Sequence, residues 1–110
     1  MSIDWKRALM TLKVKPWEKL SRKEINDIFS LRSEVFIVEQ ECAYQDVDGK
    51  DEKADHVLLH VNNELVGYAR VFSKNTYFKE ASFGRAVVKK KDRGEGYGHL
   101  IVDKSLEHLK

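Results

Sequence analysis

One cysteine and one proline among 110 residues leave this chain almost without staples or breakers. Cys42 has no second cysteine with which to form an internal disulfide, so a reducing compartment, the cytoplasm, is the expectation. No apolar run approaches the roughly 18 residues a membrane helix needs. The opening Met1-Ser-Ile-Asp-Trp-Lys6 also lacks the apolar stretch of a secretion signal. Excess charge is missing too. Twenty basic against eighteen acidic side chains give +2, far from the balance of a dedicated nucleic-acid binder. Membrane, secreted and fibrous readings therefore fall away. What remains, 42% hydrophobic and 35% charged residues, is the mixture of a globular domain. A chain of this length hides about 60–70% of its unfolded surface on folding, enough for one core. With no repeat, low-complexity tract or linker, residues 1–110 read as a single domain.

Met10, Leu12 and Val14 alternate with Thr11 and Lys13, which predicts a first strand stopped near Pro16. Ser21 and Glu24 stand at capping-box spacing, where each side chain can satisfy a free N–H at a helix start. Behind them Ile25, Ile28, Phe29, Arg32, Val35 and Phe36 form one stripe at helical spacing, carrying a helix to about Glu39. Residues 40–55 are polar and irregular. His56-Val-Leu-Leu-His-Val61 and Glu64-Leu-Val-Gly-Tyr-Ala-Arg-Val-Phe72 then flank Asn62-Asn63, a hairpin signal because Asn tolerates positive φ. Ala81 to Val88 reads as another strand. After a charged, Gly-rich link, Leu100, Ile101, Val102, Leu106 and Leu109 follow at helical spacing. The order strand, helix, three strands, helix predicts a mixed α/β fold with meandering strands. No Gly, Asn or Pro stop signal follows the last helical pattern, so the expectation is a domain that continues beyond Lys110.

The feature that points most directly to chemistry is Val87-Val88, a short basic link, and Arg93-Gly-Glu-Gly-Tyr-Gly98 opening a helix. Glycines at 94, 96 and 98 let backbone approach a ligand and turn successive N–H groups into one concavity. The helix N-terminus adds partial positive charge, so a pyrophosphate is a natural guest. A Walker loop is excluded because no Lys-Ser/Thr pair follows these glycines. The dinucleotide fingerprint fails because the third Gly comes one residue early, after a basic link. The same glycines also suit a plain turn and helix cap, and spacing alone does not separate the two readings.

Arg93-x-x-Gly96-x-Gly98, after a strand ending Arg85-Ala-Val-Val88, resembles the acetyl-CoA motif of the GNAT superfamily of N-acetyltransferases. Leu31-Arg-Ser-Glu-Val-Phe-Ile-Val-Glu-Gln-Glu41, Tyr44-Gln-Asp-Val-Asp-Gly49 and Leu65-Val-Gly-Tyr-Ala-Arg70 are similar to its ElaA-type branch. The resemblance runs from about Thr11 to Lys110. It implies a central, mostly antiparallel sheet with flanking helices, cut off after the helix that follows the fourth strand. It also implies acetyl-CoA as cosubstrate, direct transfer to a primary amine of a small-molecule or peptide acceptor, and no metal. Ala86, Val87 and Val88 would meet the pantetheine arm and the acetyl carbonyl. Arg93, Gly94, Glu95, Gly96, Tyr97, Gly98 and His99 would wrap the pyrophosphate. The oxyanion donor would be the backbone N–H near Val87 or Val88.

In that family the domain continues with strands that form the other wall of the cleft and often carry a tyrosine acid. Their absence here opens an alternative: an inactive fragment that binds CoA weakly or only self-associates through its exposed sheet edge. Glu39 is the candidate base, acting through water, and Glu39, Gln40, Tyr44 and Arg85 are candidate substrate contacts. The stretch Asp46-Val-Asp-Gly-Lys-Asp51 either borders the acceptor pocket and attracts a cationic amine or is a solvated turn. As an EF-hand it fails, since Asp51 and Val57 stand where Gly and Glu are needed. His56 and His60 share a strand face but lie too far apart to hold a metal together. Cys42 is read as structural, and Trp5 and Trp17 as packing residues. The run Lys89-Lys-Lys91 is a solvated link that biases the cleft toward an anion.

Overall fold

The computed structural model describes residues 9–110; Trp5 lies outside them. Strand β1, Met10–Pro16, ends at the proline, which has no N–H to extend a ladder. Helix α1, Arg22–Arg32, opens on the full capping box: Glu24 N–H donates to Ser21 Oγ at 3.0 Å, and Ser21 N–H to Glu24 Oε1 at 2.8 Å. The stripe expected to run as one helix changes pitch at Ser33. Ser33–Glu39 is a wider π-turn, closed by Cys42 N–H on the Ile37 carbonyl at 3.2 Å. Strands β2, Asp55–Val61, and β3, Glu64–Phe72, form the expected hairpin, with Asn62 and Asn63 at φ 53° and 67° in its turn. Strand β4 is Ser82–Val88, and helix α2 is Tyr97–His108.

The four strands lie in the order β1-β2-β3-β4, each antiparallel to its neighbour. Successive strand residues face opposite sides, so the sheet buries both faces under one helix each. Ile28, Leu31 and Val35 of α1 and its π-turn pack on Leu58, Leu65, Tyr68 and Val87. Ile101 of α2 packs on Val57, Leu59, Val66, Ala69 and Val71 across the sheet. The inner face of α2 differs from the expected stripe. Ser105 is buried there, its hydroxyl donating to the Ile101 carbonyl at 2.8 Å, while Leu106 points to solvent.

Strand β4 carries a bulge. Val87 stands opposite Tyr68 but Gly84 stands opposite Arg70, so β4 has one residue more than β3 in between. Arg85, at φ 50°, provides the left-handed kink. Nearer the centre of the sheet, Gly67 lets α2 approach closely: a Cβ there would overlap Ile101 Cδ1. Gly67→Ala should therefore cost about 1–3 kcal/mol by overpacking. Ile101→Val, which removes that methyl group, should recover part of the loss when the two are combined. Urea unfolding of the two single variants and the double variant measures the coupling; strictly additive effects would mean the two residues do not meet.

Candidate functional site

The site begins at the outer edge of β4. Lys89 N–H donates to the Val66 carbonyl of β3 at 2.7 Å. Strand alternation then turns the N–H and carbonyl of Val88 away from β3, toward the side where the sheet ends. Its carbonyl is taken by Arg93 Nε at 3.0 Å, which folds the basic link back onto the strand. Gly94 and Gly96 follow at φ 91° and 82°, and Gly96 caps α2 with no side-chain hydrogen bond. The first intrahelical bond is Leu100 N–H to the Gly96 carbonyl, which leaves the N–H groups of Tyr97, Gly98 and His99 without helical partners. Capped α1 and uncapped α2 thus differ where an anion would sit. A Cβ on Gly98 would touch only Val88 Cγ2, at 4.0 Å, so this glycine leaves space open rather than relieving a clash.

Arg93 grips a second partner. Its Nη1 and Nη2 donate to the two carboxylate oxygens of Glu39 at 2.8 and 3.1 Å, a fork-on-fork pair. The loop is thereby tied to the end of the π-turn. Arg93 holds the Glu39 carboxyl below the usual carboxylate range, which makes it a weaker base and gives it a structural task.

Beneath the bulge lies a cluster of three arginines and three aspartates. Arg32, fully buried on α1, donates to Asp46 Oδ2 at 2.9 Å, to the Asp46 carbonyl at 2.8 Å and to Asp51 Oδ1 at 2.7 Å. Arg70 on β3 reaches both oxygens of Asp48, at 2.9 and 2.7 Å, and Asp51 at 3.2 Å. Arg85 on β4 reaches Asp46 Oδ1 at 2.9 Å and Asp48 at 3.4 Å. Burial opposes the charge on Arg32 and Arg70, but their aspartate partners leave both more firmly protonated than an ordinary arginine. The hydrogen bonds from Arg70, aided by Lys50 N–H and against partial burial, hold the Asp48 carboxyl far below its usual range.

His56 adjoins the cluster, buried, with Nε2 donating to the Asp51 carbonyl at 2.9 Å. That bond places the proton on Nε2, so Nδ1 accepts from the Tyr68 hydroxyl at 2.6 Å. Burial pushes the His56 pKa down and the Tyr68 pKa up. Trp17 covers the imidazole at a ring distance of 6.0 Å, consistent with a packing role.

The structure brings some expected site residues together and separates others. Glu39 meets Arg93, and Tyr44 meets Arg85 through Asp46, its hydroxyl donating to Asp46 Oδ1 at 3.2 Å. Ala86 is exposed beside the bulge, whereas the Val87 side chain is buried on the α1 face. Glu95 and His99 face solvent, and Tyr97 turns its ring toward the sheet. Gln40 is exposed after the π-turn. The acidic loop is neither a solvated turn nor a set of free carboxylates, because arginines occupy Asp46, Asp48 and Asp51. Among the described residues no group of three or more His, Cys, Asp or Glu is placed to hold a metal. A cleft of about 840 Å³ opens between α1 and the β2–β3 turn, touching the link at Lys89 but none of Arg93–His99. Arg32 and Arg70 were the missed residues; an arginine on an apolar helix stripe and another in an apolar strand were the signal.

A buried neutral histidine makes stability depend on pH. The unfolded chain binds a proton at His56 near pH 6.5, whereas the folded chain does so only at lower pH. Stability is therefore full above about pH 6.5 and falls as the pH drops toward the folded value. His60, pushed down chiefly by burial, acts in the same direction. The urea midpoint should be lower at pH 5.5 than at pH 7.5, and His60→Gln should keep part of that difference. A midpoint unchanged over this range would contradict the buried neutral imidazole.

No protein-family model matches the chain. It is 40% identical over 91 residues to the ElaA protein of Escherichia coli, covering 81% of this chain and 60% of that protein. The chain thus spans about 60% of the length of the curated relatives it matches. The crystal structure of Escherichia coli ElaA superposes with a TM-score of 0.85 at 34% identity, over 91% of this chain and 69% of that one. An acyl-CoA N-acyltransferase from Pseudomonas aeruginosa gives 0.84 at 32% identity, over 89% and 68%. The motif residues that carry the sequence resemblance thus sit on a fold shared with these proteins, and the chain belongs to the ElaA-like branch of the GNAT superfamily.

Proposed function

We propose that this chain forms the acetyl-CoA side of an N-acetyltransferase that moves the acetyl group directly onto a primary amine of a small-molecule or peptide acceptor. The observation that carries the reading is the uncapped start of α2, with its glycine loop, set beside the outward-facing backbone of β4. Partnerless N–H groups and a helix N-terminus suit a pyrophosphate. The open strand edge suits an extended amide arm, which pairs with it as another strand would. When bound, acetyl-CoA supplies a thioester whose carbonyl carbon accepts the attack.

The reaction then makes two demands on the protein. An alkyl ammonium of pKa about 10 must lose its proton before its lone pair can form the new C–N bond. The carbonyl oxygen gains negative charge as that bond forms, and we assign the Val88 N–H, turned outward at the sheet edge, as the donor that stabilises it. Breaking the C–S bond would release a CoA thiolate, which would take its proton from water. Glu39 is engaged by Arg93, so we assign it to holding the loop.

The open edge of β4 also favours a second reading, self-association of this chain through that edge. Sedimentation across a concentration series distinguishes it, since the acetyl-CoA reading by itself requires no dimer.

Gly98 provides the main test. Gly98→Ala should fold as well as the parent, because its methyl group finds no clash and alanine suits a helix better. Acetyl-CoA affinity by isothermal titration should nevertheless fall, and fall further in Gly98→Val. If both variants bind as the parent does, the loop does not hold the cofactor and the reading fails.

A further inference from the structure

The β4 bulge turns on a residue that does not favour its own backbone. Arg85 sits at φ 50°, a region open to glycine but uncommon for any residue that carries a Cβ. Its side chain is fixed at several points: Nε donates to Asp46 Oδ1 at 2.9 Å, Nη2 to the Asp46 carbonyl at 3.2 Å and to Asp48 Oδ2 at 3.4 Å. The guanidinium also lies 5.4 Å from the centre of the Tyr44 ring. Asp46 is itself immobilised, because Arg32 of α1 holds both its carboxylate and its carbonyl. The kink is thus anchored through two further links to a helix on the sheet's inner face.

We propose that Arg85, clamped by Asp46, is a positioning residue that holds the β4 bulge and so fixes the Val88 N–H at the open edge. A bulge adds one residue to its strand, and a one-residue change of register exchanges inward and outward backbone groups. Glycine at position 85 would allow the kink but leave it free to move, whereas arginine holds it through its clamp. The purpose assigned to the held donor rests on the acyl-transfer reading; the clamp itself is a statement about this chain's geometry.

The test compares Arg85→Gly, Arg85→Gln and Arg85→Lys in the 110-residue chain. The ¹⁵N–¹H signal and hydrogen exchange of the Val88 amide are read without ligand, and acetyl-CoA is then titrated into each protein. The Gly and Gln variants should shift the Val88 signal, speed its exchange and weaken acetyl-CoA binding by about tenfold, the scale of a hydrogen bond lost. Lysine, which keeps a cation within reach of Asp46 but loses the planar fork and the Tyr44 contact, should leave the Val88 signal and the affinity closer to the parent than glutamine does. An Arg85→Gly protein with the parent's Val88 signal and affinity overturns the proposal, since the backbone alone would then suffice. If that variant does not fold, the Gln and Lys pair reads the same contrast, and an unmoved Val88 in Arg85→Gln overturns it. A parent chain that fails to bind acetyl-CoA removes the acyl-transfer reading, and the ligand-free Val88 signal then decides the clamp by itself.

Discussion

Three arginines and three aspartates, four of them buried, hold this structure at the point where its elements meet. Arg32 belongs to α1, Arg70 to β3 and Arg85 to β4, while Asp46, Asp48 and Asp51 come from one irregular stretch between the π-turn and β2. Removing two charges from water is expensive, and a buried pair offsets that expense only when its remaining hydrogen-bonding groups are also satisfied. Here they are met from several directions. Asp46 takes both Arg32 and Arg85 on its carboxylate, and its main-chain carbonyl accepts from both as well. Buried ion pairs often contribute less to net stability than apolar packing of the same volume would. The cluster fits a loop whose regular structure is one short turn at Asp51–Lys53 to three elements at once.

The chain applies polar groups differently at its two helix starts. Ser21 and Glu24 close the first turn of α1, and Lys15 steadies the Glu24 carboxylate from β1 at 2.8 Å. At α2 the loop brings glycines and the exposed backbone of Tyr97 to His99. Arg93 lies between the two halves of the site, with one hand on the Val88 carbonyl and the other on Glu39. The end of the π-turn is therefore part of the frame of the glycine loop, although Glu39 lies 54 residues from Arg93 in sequence.

Local signals in the sequence were sufficient for local structure. The capping box marked the start of α1, Pro16 the end of β1, and the asparagine pair the β2–β3 turn, because each acts within a few residues of itself. The π-turn was not legible: over seven residues a wider pitch and an ordinary helix place apolar side chains too similarly to be told apart. The inner face of α2 was misread at Ser105, whose hydroxyl satisfies itself on the preceding turn and so enters the core where Leu106 had been expected. The arginine cluster was hidden for another reason. Asp46 has the neighbours of a surface turn, and its partners stand 14 and 39 residues away, beyond any local pattern. Of the candidate site, the glycine loop was legible because glycine spacing is itself a local signal; the clamp on the bulge was not.

Gly67 and Ile101 have a consequence beyond packing. Ile101 stands one helical turn after Tyr97, so the depth to which its side chain sinks into the sheet sets the height of the first turn of α2. The first turn of α2 is thus set from the middle of β3, like the muzzle of a tool whose seat lies behind it. A methyl group added at residue 67 would meet Ile101 rather than any residue from Arg93 to His99, yet by displacing Ile101 it would shift the helix start that carries them. Residue 67 thus acts by leverage on the start of α2, and its lack of a side chain is a setting of range rather than an empty space.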